Sequence, residues 1–258
     1  MDEQMIITGV SDGVATVTMN RPDRHNAFDE TLIAALTEVI GTLGSDPAVR
    51  AIVLRGAGKS FSAGGDLGWM RRMADYGEAQ NLDDARRLEA LMRTLDGVAK
   101  PTIAAVQGPA YGGGVGLVAC CDIAIASDNA KFVLSEVKLG LVPAVISPYV
   151  IAAIGARAAR RYFLTAETFS ALEAHRLGLV HEVVPGHMLD AAVAKVAAAL
   201  AANGPGAIAR CKALITGVTT LPKADLPEFT ARAIAEARAS AEGREGVGAF
   251  LEKRPPRW

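Results

Sequence analysis

The chain has 258 residues, of which 50% are hydrophobic, 21% charged and 5% aromatic, with a formal net charge of −1. That length suffices for one large domain, or a domain with a helical appendage, packed around aliphatic rather than aromatic side chains. The balanced charge offers no basic field for nucleic acid or an anionic membrane, the acidic start 1-MDEQMIITGV-10 lacks a signal-peptide pattern, and no apolar run approaches the roughly 20 residues of a membrane span.

In chain order, Thr8 to Met19 alternates as a hairpin, with Ser11-Asp12-Gly13 as its turn. A loop of turn residues, 20-NRPDRHNAF-28, follows. Asp29 reads as an N-cap for a helix whose apolar stripe is Leu32, Leu36, Val39, Ile40 and Leu43, and Asp46-Pro47 ends it. Ala51 to Leu54 is a buried-type strand running into a glycine-rich turn, 61-FSAGGDL-67. Leu82 to Val98 has the period of an amphipathic helix, and Thr102 to Val106 is a second apolar strand running into a second turn, Gly112-Gly113-Gly114. A helix over Val115 to Cys121 and strands over 122–127 and 131–134 come next. Beyond Pro143 the pattern is helical, with Ala-rich amphipathic segments over 191–202, 206–215 and 230–241. The strand, glycine turn and helix thus recur at a spacing of about 50 residues, a sign of repeated supersecondary units.

Each glycine turn presents free backbone N–H groups at a helix start, where the dipole adds partial positive charge. Two such turns converging on one oxygen would form an oxyanion hole; the spacing alone serves tight helix–strand packing equally well. Neither turn matches GxxxxGK[ST] or GxGxxG, so a nucleotide phosphate is not the expected ligand. No serine lies in GxSxG, and His25, His175, His181 and His187 are scattered and read as surface or packing residues. Glu136 follows the apolar strand 131-KFVL and precedes 139-LGLVPAV-145, so it is expected at an apolar wall with a raised pKa, suited to general acid/base work; a solvated loop glutamate is the alternative. Cys120, Cys121 and Cys211 lack metal or disulfide spacing and read as buried thiols of a reducing cytoplasm.

The stretches 19-MNRPDRHNAF-28, 52-IVLRGAGKSFSAGGDL-67, 101-PTIAAVQGPAYGGGVGLVACCDIAIAS-127 and 135-SEVKLGLVPA-144, in this order, resemble the enoyl-CoA hydratase/isomerase (crotonase) superfamily, as does the ending 247-VGAFLEKRPPRW-258. The resemblance implies an α/β fold of the crotonase type. In it a ββα superhelix over residues 1–195 carries an acyl-CoA site, and a C-terminal helical region over 196–258 forms a homotrimer or a dimer of trimers. It places the two oxyanion donors on the N–H groups of Gly65 and Gly113, and the catalytic acid on Glu136. Substrate or CoA contacts would fall on Arg24, Ala27, Ala63, Asp66, Leu67 and Gly68, with Lys253 reaching the nucleotide of the same or a neighbouring subunit. Coenzyme A is then part of the substrate, and no separate cofactor or metal is implied.

The second glutamate typical of hydratases in this superfamily falls on Gly116 here. Single-acid members include isomerases, and the string from Gly112 to Val150 looks especially like bacterial 3-methylglutaconyl-CoA hydratases of leucine degradation. An acidic acyl chain would explain the loss, since a second enzyme carboxylate would repel it and Gly116 would leave room. Arg71, Arg72 or Lys138 could then pair with the distal carboxylate, and Trp69 and Met70 could line the acyl pocket. Isomerisation is the alternative reaction, and a non-catalytic acyl-CoA-binding or RNA-binding protein the alternative class.

Overall fold

A computed structural model describes residues 4–258; the first three residues, which open the acidic N-terminal stretch, lie outside the described residues. Asp12 and Gly13 both have positive φ, 50° and 76°, and reverse the chain between β1 (Ile6–Ser11) and β2 (Val14–Met19). Asp29 then caps α1 (Glu30–Ser45), its carboxylate accepting the Leu32 N–H at 2.9 Å as the sequence leads one to expect. The chain continues through β3 (Ala51–Gly56), α2 (Leu67–Ala74), α3 (Glu78–Gly97), β4 (Thr102–Val106), β5 (Ala110–Tyr111), α4 (Gly113–Cys120), β6 (Ile123–Ser127) and β7 (Lys131–Val133). After a short 3-10 turn at Glu136–Leu139 come α5 (Ser147–Thr165), β8 (Phe169–Ser170), α6 (Ala171–Leu177), β9 (Glu182–Val184), α7 (Leu189–Ala201), α8 (Pro205–Thr220), α9 (Leu226–Ala239) and α10 (Ala241–Leu251). Helix α5 is interrupted at Gly155, whose φ is 74°.

The main sheet has the order β1-β2-β3-β4-β6-β9. Only the β1–β2 pair is antiparallel; β2, β3, β4, β6 and β9 run parallel. A smaller sheet joins β5, β7 and β8. Parallel strands are covered on both faces, and alternation sorts their residues accordingly. Ile52, Leu54, Ala104, Val106, Ala124 and Ala126 point into the large core with α1, α3, α4 and α5, whereas Val53, Ile103, Ala105 and Ile125 point into a smaller one against Leu189, Val193 and Ala197 of α7. The domain boundary expected after residue 195 therefore falls within α7, a helix whose inner face belongs to the sheet.

Helices α8 and α9 bury none of their residues in the single chain. Cys120 and Cys121 are buried, and burial pushes both thiols far up; Cys211 on α8 is exposed, against the expectation of three buried thiols, because that helix has no neighbour over its outer face. Among the described residues, no single helix is long and apolar enough to cross a membrane.

Candidate active site

Strands β2, β3 and β4 are parallel neighbours, so the loops after Met19, Gly56 and Val106 leave from one edge of the sheet, where open α/β sheets bind ligands. Short-range pairing locks the three together. Phe28 forms a parallel bridge with Gly65, its N–H donating to the Gly64 carbonyl at 2.6 Å and its carbonyl accepting the Asp66 N–H at 2.7 Å. That pattern uses the groups on either side of Gly65 and turns Gly65's own N–H away from Phe28. Ser62 bridges Ala110 in the same manner, with the Tyr111 N–H donating to the Ser62 carbonyl at 2.8 Å. The two glycine turns are thus fixed side by side.

The loop carrying Phe28 is held from inside. Asn26 is fully buried; its Oδ1 accepts the Arg21 N–H at 2.9 Å, and its Nδ2 donates to the Ala57 and Ser60 carbonyls at 2.9 and 2.8 Å. Arg21 is also buried, donates to the Ala27 carbonyl at 3.1 Å, and pairs with Asp29 at 2.7 Å and Asp66 at 3.6 Å. Sequence reasoning read Arg21 and Asn26 only as loop residues, since their partners lie up to 45 positions away (66 − 21).

Asp66 caps α2, accepting the Gly68 and Trp69 N–H groups at 2.8 and 3.1 Å. Burial alone would raise its carboxyl, but the two N–H bonds and the charges of Arg21 and Arg24 outweigh burial and hold it below its ordinary value. Its side chain is therefore engaged in fixing the turn. Arg24 is half exposed and reaches Asp66 with Nη1 at 3.4 Å, Ala27 is buried, Ala63 lines the cavity, and Leu67 is 73% exposed beside Gly68 at the start of α2. Lys253 is exposed beyond α10 and does not line the cavity.

The second turn explains its run of glycines. Gly112 has φ 49° and ψ −118°, a conformation that a side chain would strain, and a Cβ there would stand 3.1 Å from Glu136 Oε1. A Cβ on Gly113 would meet the Phe28 ring at 2.6 Å. Gly113 opens α4, so its N–H belongs to the unsatisfied first turn, and the helix begins two residues earlier than the sequence pattern suggests.

These pieces line a cavity of about 470 Å³, a volume typical of small-molecule sites. Gly65, Gly113 and Glu136 are all on its wall, with Phe28, Trp69, Met70, Met73, Leu88 and the loop Leu139–Ile146 supplying apolar surface. Glu136 Oε2 is buried and has no hydrogen-bond partner among the described residues. Burial is the larger influence on this carboxyl and pushes it above its ordinary value, partly opposed by a bond from its own backbone N–H. A desolvated carboxylate with one free oxygen, on a wall shared with two glycine turns, has what is needed to take a proton from water and return one to an adjacent carbon.

The position of the absent second glutamate is not open space. A Cβ on Gly116 would collide with the side chain of Ile146, itself 2% exposed, and approach Met92 Cε at 3.3 Å. The room that the sequence reading assigned to substrate is filled by Ile146. Nor do the described residues offer the cation expected for an acidic acyl chain: no Lys or Arg lines the cavity, Arg72 pairs with Glu30 at 2.7 Å, and Arg71 and Lys138 are exposed away from it. The cavity instead holds a second acid, Asp84, which sequence reasoning passed over as part of the polar face of a helix.

Comparison with known proteins gives the family. Residues 9–258 match the family model described as enoyl-CoA hydratase/isomerase. A Thermus thermophilus relative that carries the enoyl-CoA hydratase name is 37% identical over 246 residues, covering 95% of this chain and 97% of that one. The 1,2-epoxyphenylacetyl-CoA isomerase of Escherichia coli is 35% identical over 261 residues, covering 99% and 98%. The crystal structure of an enoyl-CoA hydratase from Shewanella pealeana, 45% identical, matches with a TM-score of 0.96 over 100% of this chain and 97% of that one. The chain has the crotonase fold and belongs to the enoyl-CoA hydratase/isomerase family.

Proposed function

We propose that this protein hydrates a 2-enoyl-CoA, and reverses that reaction, with one glutamate and a main-chain oxyanion hole. The observation that carries the reading is the meeting of Gly65, Gly113 and the unpartnered Glu136 on one cavity wall. The thioester oxygen accepts the Gly65 and Gly113 N–H groups. Glu136 takes a proton from a water molecule as the water oxygen bonds to C3. The C2=C3 electron pair moves toward the thioester, whose oxygen gains charge that the two donors stabilise by about 3–4 kcal/mol each. Glu136 then gives its proton to C2, and the enolate collapses to the 3-hydroxyacyl thioester.

The coenzyme A moiety would run along Arg24 to Ala27, Ala63 and Gly65 to Gly68, where Arg24 is the exposed cation beside the turn. A distal carboxylate on the acyl group, as in 3-methylglutaconyl-CoA, has no cation to meet it in the described cavity. The expected substrate is therefore a 2-enoyl-CoA with an uncharged acyl chain.

The test follows the loss of conjugated enoyl-thioester absorbance with crotonyl-CoA. Glu136→Gln is expected to lower kcat by about 10²–10⁴-fold with the fold intact by circular dichroism. A wild type that leaves crotonyl-CoA untouched but converts a 3-enoyl-CoA to its conjugated isomer would replace hydration by isomerisation, and one that binds acyl-CoA without turnover would make the protein a binder.

A further inference from the structure

The cavity contains a second carboxyl that the hydration chemistry leaves unused. Asp84 stands on α3 with Asn81, Ala85 and Leu88 at the cavity wall. The Trp69 indole Nε1–H donates to Asp84 Oδ1 at 3.2 Å. The far edge of the same indole packs on the first glycine turn, its Cε3 lying 3.6 Å from the place a Cβ on Gly65 would take. Asp84 is therefore one indole width beyond the oxyanion turn. Along α3 it precedes Met92, the residue abutting Gly116, by eight positions, or about 12 Å at 1.5 Å per residue, so it does not stand in for the missing glutamate.

Its other oxygen, Oδ2, is unclaimed among the described residues, since Arg87 pairs with Asp83 at 2.6 Å and Arg72 with Glu30. Burial pushes the Asp84 carboxyl up, and the indole bond and the nearby charge of Arg87 partly hold it down.

We propose that Asp84, positioned by Trp69, determines acyl specificity: the pocket takes enoyl groups whose far end is uncharged, favours a distal hydroxyl that can donate to Oδ2, and rejects a distal carboxylate. This deepens the acyl-CoA reading above and rests on it. Two like charges brought close together at a half-buried, partly screened carboxylate repel strongly enough to cost about tenfold or more in affinity.

The experiment measures Kd at pH 8 for pentanoyl-, 5-hydroxypentanoyl- and glutaryl-CoA by titration calorimetry, and kcat/KM for the matching 2-enoyl-CoAs, with an eight-carbon series beside the five-carbon one. The wild type is expected to disfavour the carboxylate-ended member at least tenfold against the methyl-ended one. In Asp84→Asn that ratio is expected to shrink to within about threefold; Asp84→Ser serves if the first variant melts early. A wild type that binds the acidic analogue as well as the neutral one overturns the proposal, as does an unchanged ratio in a folded Asp84 variant. If discrimination in binding holds while no 2-enoyl-CoA is hydrated, the specificity stands and the hydratase reading falls. If no acyl-CoA binds, both fall.

Discussion

Two carboxyls, Asp66 at the cap of α2 and Glu136 on the cavity wall, are driven in opposite directions by their surroundings. Asp66 accepts two helix N–H groups and faces two guanidinium groups, which outweigh burial and keep it ionised to unusually low pH. Glu136 is desolvated without a cation and is held above the ordinary glutamate range. A general base must be ionised to accept a proton, so kcat/KM for hydration is expected to fall as pH drops through this raised value, with an acid limb above the ordinary glutamate pKa of about 4.3. Stability runs the other way. Between its unfolded and folded pKa values Glu136 is protonated more in the native state than in the unfolded chain, so the native state loses stability as pH rises through that window. Glu136→Gln removes this loss and is expected to melt no lower than the wild type at pH 8 while its activity collapses. Rates and melting curves across pH 4–9 check both limbs; an acid limb at or below the ordinary value counts against Glu136 as the base.

At the level of elements, α4 and the segment entering α5 are joined by the contact of Gly116 with Ile146. Gly116→Ala is expected to destabilise the protein by about 1–3 kcal/mol through overpacking, and Ile146→Ala, which makes space, is expected to recover part of that loss in the double variant. Chemical denaturation of the four proteins in the cycle measures it, and additive losses would mean the two positions do not share the space. This contact also marks the limit of what the sequence discloses. The apolar strands Ala51–Leu54, which runs two residues further to Gly56, and Thr102–Val106, the Asp29 cap and the Asp12-Gly13 reversal are local signals, and the structure has all of them. The strands β8 and β9, of two and three residues, are defined by partners far along the chain rather than by any run of their own. Helix α2 begins where the Asp66 carboxylate caps it, in a stretch too short to show a period. Both glycine turns and Glu136 stood out because each follows an apolar strand, but the pattern left packing and a solvated loop open, and it was the family resemblance that assigned their roles. Ile146 over Gly116 and Asp84 under Trp69 were not, because only the folded chain brings those pairs together.

At the scale of the molecule, the C-terminal helices of the single chain expose many large apolar side chains. Helices α8 and α9 bury no residue, and Ile215, Val218, Ile234, Val247, Leu251 and Phe250, the last 82% exposed, leave large side chains in contact with water. So many large apolar side chains left in water on one region are costly for a monomer. We expect homo-oligomers, a trimer or a dimer of trimers, with Phe250→Glu shifting the mass toward the monomer in light scattering coupled to size exclusion. A wild type that elutes at the mass of one chain at micromolar concentration would leave this surface without its expected partner.

The pairing of Phe28 with Gly65 and of Ser62 with Ala110 fixes peptide backbone, and in the proposed reaction the polarising groups are themselves backbone. Only a change to proline deletes a backbone N–H, so any other substitution at these turns can crowd such donors but not remove them. Mutation is then free to redraw the walls around a fixed electrophile-activating centre. On that reading, a lineage holding this frame could exchange Asp84, Ile146 or even Glu136, and so trade one thioester chemistry for another, without rebuilding the backbone that does the polarising.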